Sequence, residues 1–189
     1  MHIPRYYSNF PASMPLHIAP SLANLLWLVP PPAGARAGCH GRLPGPLTDA
    51  LAQHLPGLST ASPFPDGGLD YFVALAEGPL SSVELAEATR VLAPGGTALL
   101  IGVARRRMGE ARRLARTAQQ AGLSAPRLYR VALSPTHPMA VVPDSAPALR
   151  AYARATQPPG IARALSRAAI RVGFLPPELT GLVLVGTRP

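Results

Sequence analysis

The stretch RVLAPGGTALLIGV, Arg90 to Val103, decides the fold. The tail of a helical pattern runs into Pro94-Gly95-Gly96, and a run of apolar residues follows. Proline does not continue a helix interior, and glycine takes backbone angles that other residues avoid. The turn is therefore tight. An apolar run without alternation reads as a strand covered on both faces, as parallel sheets require.

The flanking chain extends this pattern. SSVELAEATRVL reads as the helix, with Ser81 and Glu84 at capping-box spacing and Leu85, Ala88 and Leu92 on one face. GGLDYFVALA before it reads as a strand, and PFPDGG as turn chemistry. GPLTDALAQHL reads as an earlier helix, with Leu47, Leu51 and Leu55 on one face. Downstream, RRRMGEARRLARTAQQAGL places Met108, Ala111, Ala115, Ala118 and Gly122 at helical spacing, Gly122 also being the stop. PRLYRVALS is a strand, SAPALRAYARAT and IARALSRAAIRV are two short helices, and LTGLVLVGTRP is a last strand. In the second short helix Ile161, Ala164, Leu165, Ala168, Ala169 and Val172 form one stripe, expected on the core side. Arg163, Arg167 and Arg171 repeat every four residues on the polar side. Strands separated by helices predict an α/β fold: a Rossmann-like, mostly parallel sheet with helices on both faces.

Residues 1–44 read differently. HIPRYYSNFPASMPLHIAP carries prolines at 4, 11, 15 and 20, a density that prevents long helices and central strands. Tyr6, Tyr7, Phe10, Met14 and Leu16 give it apolar handholds, so it is expected to lie along its own domain or a partner. LANLLWLV is then one strand or a short buried helix. The expected division is a Pro-rich apolar extension over 1–44 and an α/β domain over 45–189.

Composition narrows the chemistry. The 189 residues fit one domain with an extension, and 48% hydrophobic residues suffice for a core. All 18 cations are Arg, and the net charge is +9. That charge attracts an acidic protein surface, an anionic membrane surface or RNA. With Cys39 as the one cysteine, neither an intrachain disulfide nor a Cys-based metal site forms. The histidines show no metal-ligand pair at helical spacing, and a chain without Lys has no Gly-Lys-Ser/Thr phosphate loop. The longest early apolar run, Leu22 to Val29, is far short of the roughly 20 residues that span a bilayer. No basic n-region precedes a clean apolar core, so no signal peptide or transmembrane segment is expected. The expected location is cytoplasmic, peripheral to a membrane or complex.

PFPDGGLDYFVAL and ELAEATRVLAPGGTALLIGV together resemble the class I S-adenosylmethionine-dependent methyltransferases, Arg90-Val91-Leu92 and Pro94-Gly95-Gly96 most of all. GLVLVGTRP is similar to that family's last, antiparallel strand. The resemblance is good over residues 63 to 103, extends to 45–189, and implies S-adenosylmethionine as cofactor. It places cofactor chemistry at the carboxyl ends of strands one, two and four. An acid followed by Gly-x-Gly-x-Gly belongs after strand one. LLWLVPPPAGARAG offers prolines there, with Gly34 and Gly38 as a remnant. An acid belongs at the end of strand two to grip the ribose, yet between Ala35 and Pro65 Asp49 stands alone, in a helix. An Asp belongs a few residues before Pro63-Phe64, and Leu58 stands there. The interval from Gly38 to Phe64 is also too short for strand two, its helix and strand three, so the first half reads as truncated.

Glu77 falls after strand four, where the family's substrate-facing residues lie, and is the one candidate base. Asp70 is a candidate cofactor contact or a residue that orients backbone at the strand start. Cys39-His40 are neighbours that point apart, unlike a nucleophile and its base. ARRRMGEARRLAR holds Arg105, Arg106, Arg107, Arg112, Arg113 and Arg116 without an aromatic to stack bases, so a nonspecific electrostatic contact fits it better than sequence reading. These observations together predict a methyltransferase-like domain without cofactor chemistry, acting as a structural or binding subunit. An active enzyme on a small molecule and an RNA-associated factor are the alternatives.

Overall fold

The structure, a computed structural model, describes residues 25–26, 28–41, 49, 51–53, 55–60, 62–76, 78–103, 109–133, 138–156, 160–175 and 179–189. Six strands form one open sheet in the order β1-β2-β3-β6-β4-β5. They are β1 (Ala37–His40), β2 (Leu69–Leu75), β3 (Leu92–Val103), β4 (Ser124–Leu133), β5 (Pro138–Pro143) and β6 (Gly181–Thr187). The helices are α1 (Ser82–Val91), α2 (Gly109–Gln120), α3 (Ala146–Thr156) and α4 (Ile161–Arg171). β1 to β2 and β2 to β3 pair parallel. β6 runs antiparallel to both β3 and β4, so β4 shares the direction of the first three strands. This is the α/β architecture read from the sequence.

The Pro-Gly-Gly stretch is a clamp. β3 begins at Leu92, bulges through 93–96, and rejoins β2 with Tyr71 opposite Thr97. Gly95 takes a φ of 79°, and its N–H donates to the Arg188 carbonyl at 2.8 Å. A side chain on Gly96 would meet the Ala93 carbonyl oxygen at 2.8 Å. The Arg90 guanidinium donates to Phe64 O at 2.9 Å and pairs with Asp66 and Glu87. Arg188 donates to the Leu92 carbonyl at the end of α1, filling a valence that helix ends leave open. α1 starts with the expected capping box: Val83 N–H donates to Ser81 Oγ at 3.2 Å, and Ser81 N–H donates to Glu84 at 2.8 Å.

Alternation along the strands divides the core between two faces. Tyr71, Val73, Leu99, Ile101, Val183 and Val185 meet Leu25, Leu26, Leu51 and Leu55 on one side. Phe72, Ala74, Ala98, Leu100 and Leu184 meet α1 and α2 on the other. α3 and α4 pack over Ala132 and Val142. A buried Leu stabilises by about 1.5–3 kcal/mol, and the fully buried set includes Leu25, Leu51, Leu85, Leu92, Leu99 and Leu100.

Of the two readings for the run around Leu25, Leu26 and Leu28, the helical one forms, as short 3₁₀ turns with Leu25 and Leu26 buried. Three element-level expectations differ from what forms. Residues 37–40 are a strand inside the stretch read as extension, tied down by Tyr71 Oη donating to Val29 O at 2.8 Å. β5 was not anticipated, because prolines bound it on both sides; that placement suits an edge strand. Finally, α4 turns its apolar stripe outward. Ile170 is buried, while Ala164, Leu165, Ala168 and Val172 are exposed. The boundary expected near residue 44 falls in 42–48, outside the described residues, as do Leu47 and Met108.

Candidate functional site

In open α/β sheets, ligands sit beyond the carboxyl ends of the strands, where strand order reverses. Here the chain leaves β1, passes the helical residues 51–53, and touches β1 again at Ser59. Cys39 N–H donates to Ser59 O, and Ser59 N–H to Ala37 O, both at 2.9 Å. This single parallel rung stands where strand two would pair. The chain then crosses to β2 on the other side of β1, so the reversal lies at the carboxyl ends of β1 and β2.

The described residues at that place are His40, Gly41, Ser59, Thr60, Leu75 and Ala76. None carries a carboxylate. Gly41 has a φ of 96°, and a side chain there would meet the Leu75 carbonyl oxygen at 2.3 Å. Its backbone is pressed onto the end of β2. S-adenosylmethionine would need a carboxylate for its ribose, and these residues supply none, so they do not fit it. Residues 42–48, which continue the turn, lie outside the described residues.

The candidates from the sequence fall in separate places. Gly34 sits in the turn before β1, and Gly38 lies within β1, where a side chain would meet Leu69 Cδ1 at 2.5 Å. Asp70 is at the amino end of β2, opposite the carboxyl ends. Its carboxylate accepts from Arg36 Nε at 3.0 Å, Nη2 at 2.8 Å and the backbone N–H at 2.9 Å. Those hydrogen bonds lower its pKa to about 2. The arrangement joins β1 to β2 at their starts. Glu77 and Arg105, Arg106 and Arg107 lie outside the described residues, as do the side chains of Arg163 and Arg167. Arg112, Arg113 and Arg116 line the exposed side of α2, and Arg171 is exposed on α4.

Two grooves border this end of the molecule. One, of about 710 Å³, runs between β2 (Phe72, Ala74) and α1 (Val83, Glu84, Glu87, Arg90), with His40 at its end. Its acids are engaged: Glu84 in the cap and Glu87 with Arg90 at 2.7 Å. These partners hold both carboxyls below the usual range. The other, of about 980 Å³, lies among the starts of α1 and α2, Arg113, and the turn Val172-Gly173-Phe174.

Sequence reasoning missed one buried charge cluster. Arg130 in β4 is fully buried, with Nε 3.4 Å from Asp144 and Nη1 3.9 Å from Glu110. Burial raises the Asp144 pKa, and Arg130 opposes that shift. The available signal was Arg130 between Leu128 and Ala132, the apolar residues on its own face of β4.

Sequence comparison finds neither a matching protein family nor a matching curated protein. Comparison of structures does find similarity. The chain is similar to a SAM-dependent methyltransferase from Thermotoga maritima, at 12% identity and TM-score 0.50, covering 93% of this chain and 90% of that one. It is similar to phosphoethanolamine N-methyltransferase 2 of Haemonchus contortus bound to S-adenosylhomocysteine, at 11% identity and TM-score 0.53, covering 89% of this chain and 52% of that one. It is also similar to the methyltransferase component of a complex with the Haloferax volcanii Trm112 methyltransferase activator, at 14% identity and TM-score 0.50, over 93% and 90%. Strand order, the antiparallel β6 between β3 and β4, and these similarities agree: the chain has the fold of the class I S-adenosylmethionine-dependent methyltransferases.

Proposed function

We propose that this chain is a methyltransferase-like domain without S-adenosylmethionine chemistry, serving as a structural or binding subunit of a larger assembly. One observation carries the reading. Where strand two would pair, the described residues form the Ser59 rung, and those at the ends of β1 and β2 supply no carboxylate. A buried hydrogen bond to a charged partner contributes about 1.5–3 kcal/mol, so losing several weakens cofactor binding by orders of magnitude. Asp70, the nearest acid on β2, is committed to Arg36 at the wrong end of the strand.

Docking is then the work of the N-terminal residues and the Arg-bearing helices. Arg112, Arg113 and Arg116 present a basic face on α2. A neighbour of this fold is described in complex with a protein activator, which supports a protein partner as compatible with the architecture. The test is the state of the protein in its own cell extract. The proposal expects it in a particle larger than the chain alone, at fixed stoichiometry with its partners. A free monomer that turns over labelled S-adenosylmethionine would overturn it.

A further inference from the structure

Four large apolar side chains are exposed among the described residues, and three of them are Leu165, Val172 and Phe174, on α4 or just after it. Leu165 is 64% exposed, Val172 73% and Phe174 49%. Positions 164, 165, 168, 171 and 172 share one side of a helix. That side is Ala164, Leu165, Ala168, Arg171 and Val172, all outward, while Ile170 faces the core. α4 packs on α3, Ile170 lies towards the core, and the described residues of this stripe are exposed.

Charge says what suits this stripe. Residues 146–175 carry five arginines and no acidic residue. Arg171 flanks the stripe, and Arg113 of α2 lies across the groove that Val172 and Phe174 line. An apolar helix face edged by cations matches a surface that offers anionic groups above an apolar layer. A nucleic-acid backbone offers the charge without the apolar layer, and among the described residues Phe174 is the one exposed aromatic, too few to stack a run of bases.

We infer that the outward face of α4, with Arg171 and Arg113 at its margins, docks the protein on an anionic lipid bilayer. The helix lies in the interface plane with Leu165, Val172 and Phe174 below the headgroups. This goes beyond the proposed function and holds whether or not the chain binds S-adenosylmethionine.

Flotation of the full chain with vesicles tests it. Phosphatidylcholine vesicles mixed with phosphatidylserine should carry the protein, and phosphatidylcholine alone should not. The Val172→Asp/Phe174→Ser double variant should lose at least about tenfold in partitioning, and Arg171→Glu about fivefold or more. Both sites are exposed, so the thermal midpoint should stay where it is. Equal binding to both vesicle types, binding to neither, or full binding by the double variant overturns the inference. So does a large fall in thermal midpoint in the double variant, which would mean that the chain itself covers the stripe. A dimer, or a stoichiometric acidic protein partner, that the double variant abolishes would assign the stripe elsewhere and overturn it too.

Discussion

At the residue scale, several of the described charged side chains hold backbone in place. Arg36 and Asp70 join the starts of β1 and β2. The Asp70 pKa is depressed from its ordinary 3.8 to about 2, so its contribution is present above 3.8 and is lost as pH falls through 2. Arg36→Gln should return the Asp70 carboxyl towards 3.8 in an NMR titration and flatten acid unfolding between those values. An Asp70 pKa that does not move in the variant would refute the pairing. Arg130 is a different case, because it is fully buried beside Asp144. Arg130→Met leaves a buried acid unpaired and should cost about 3–5 kcal/mol in urea unfolding. Adding Asp144→Leu should recover most of that loss; a double variant as unstable as the single would contradict the pairing. Asp70 was legible as a residue that orients backbone at the strand start, without its partner Arg36; Arg130 was not, since strand alternation places a residue inward but does not say which acid meets it.

At the element scale, much of the sheet was legible. The stretch from Arg90 to Val103 carried its own instructions: cap, apolar stripe, forced turn and buried strand. Ser81→Ala should destabilise by about 1 kcal/mol, read by urea unfolding, because the cap satisfies donors at the start of α1. No change in the unfolding midpoint would show that the cap is idle. β1 escaped reading because Ala-Gly-Cys-His contains neither a β-branched residue nor an alternating pattern. Reading strand one into Leu22–Val29 puts the glycine turn at Gly34 and Gly38, whereas the turn that follows β1 falls at Gly41. α4 shows a further limit. Periodicity says which residues share a face; the surface that receives that face is made by other elements. Here Leu149, Tyr152 and Leu175 receive Ile170, and the longer stripe points away.

At the scale of the whole molecule, the described residues form the open sheet of this fold, with a single rung where strand two would pair. β2, β3 and β6 are largely buried on both faces. Beside β1, the described residues form the single Ser59 rung. Among the described residues no helix is long and apolar enough to cross a membrane. Fold was readable because it depends on spacing summed over many residues. The cofactor site depends on a few side chains in loops, and 42–48, 77 and 104–108 lie outside the described residues. Calorimetric titration of the full chain with S-adenosylmethionine and S-adenosylhomocysteine tests the central claim most directly. The account predicts no binding heat for either ligand, and micromolar binding of one of them would contradict it.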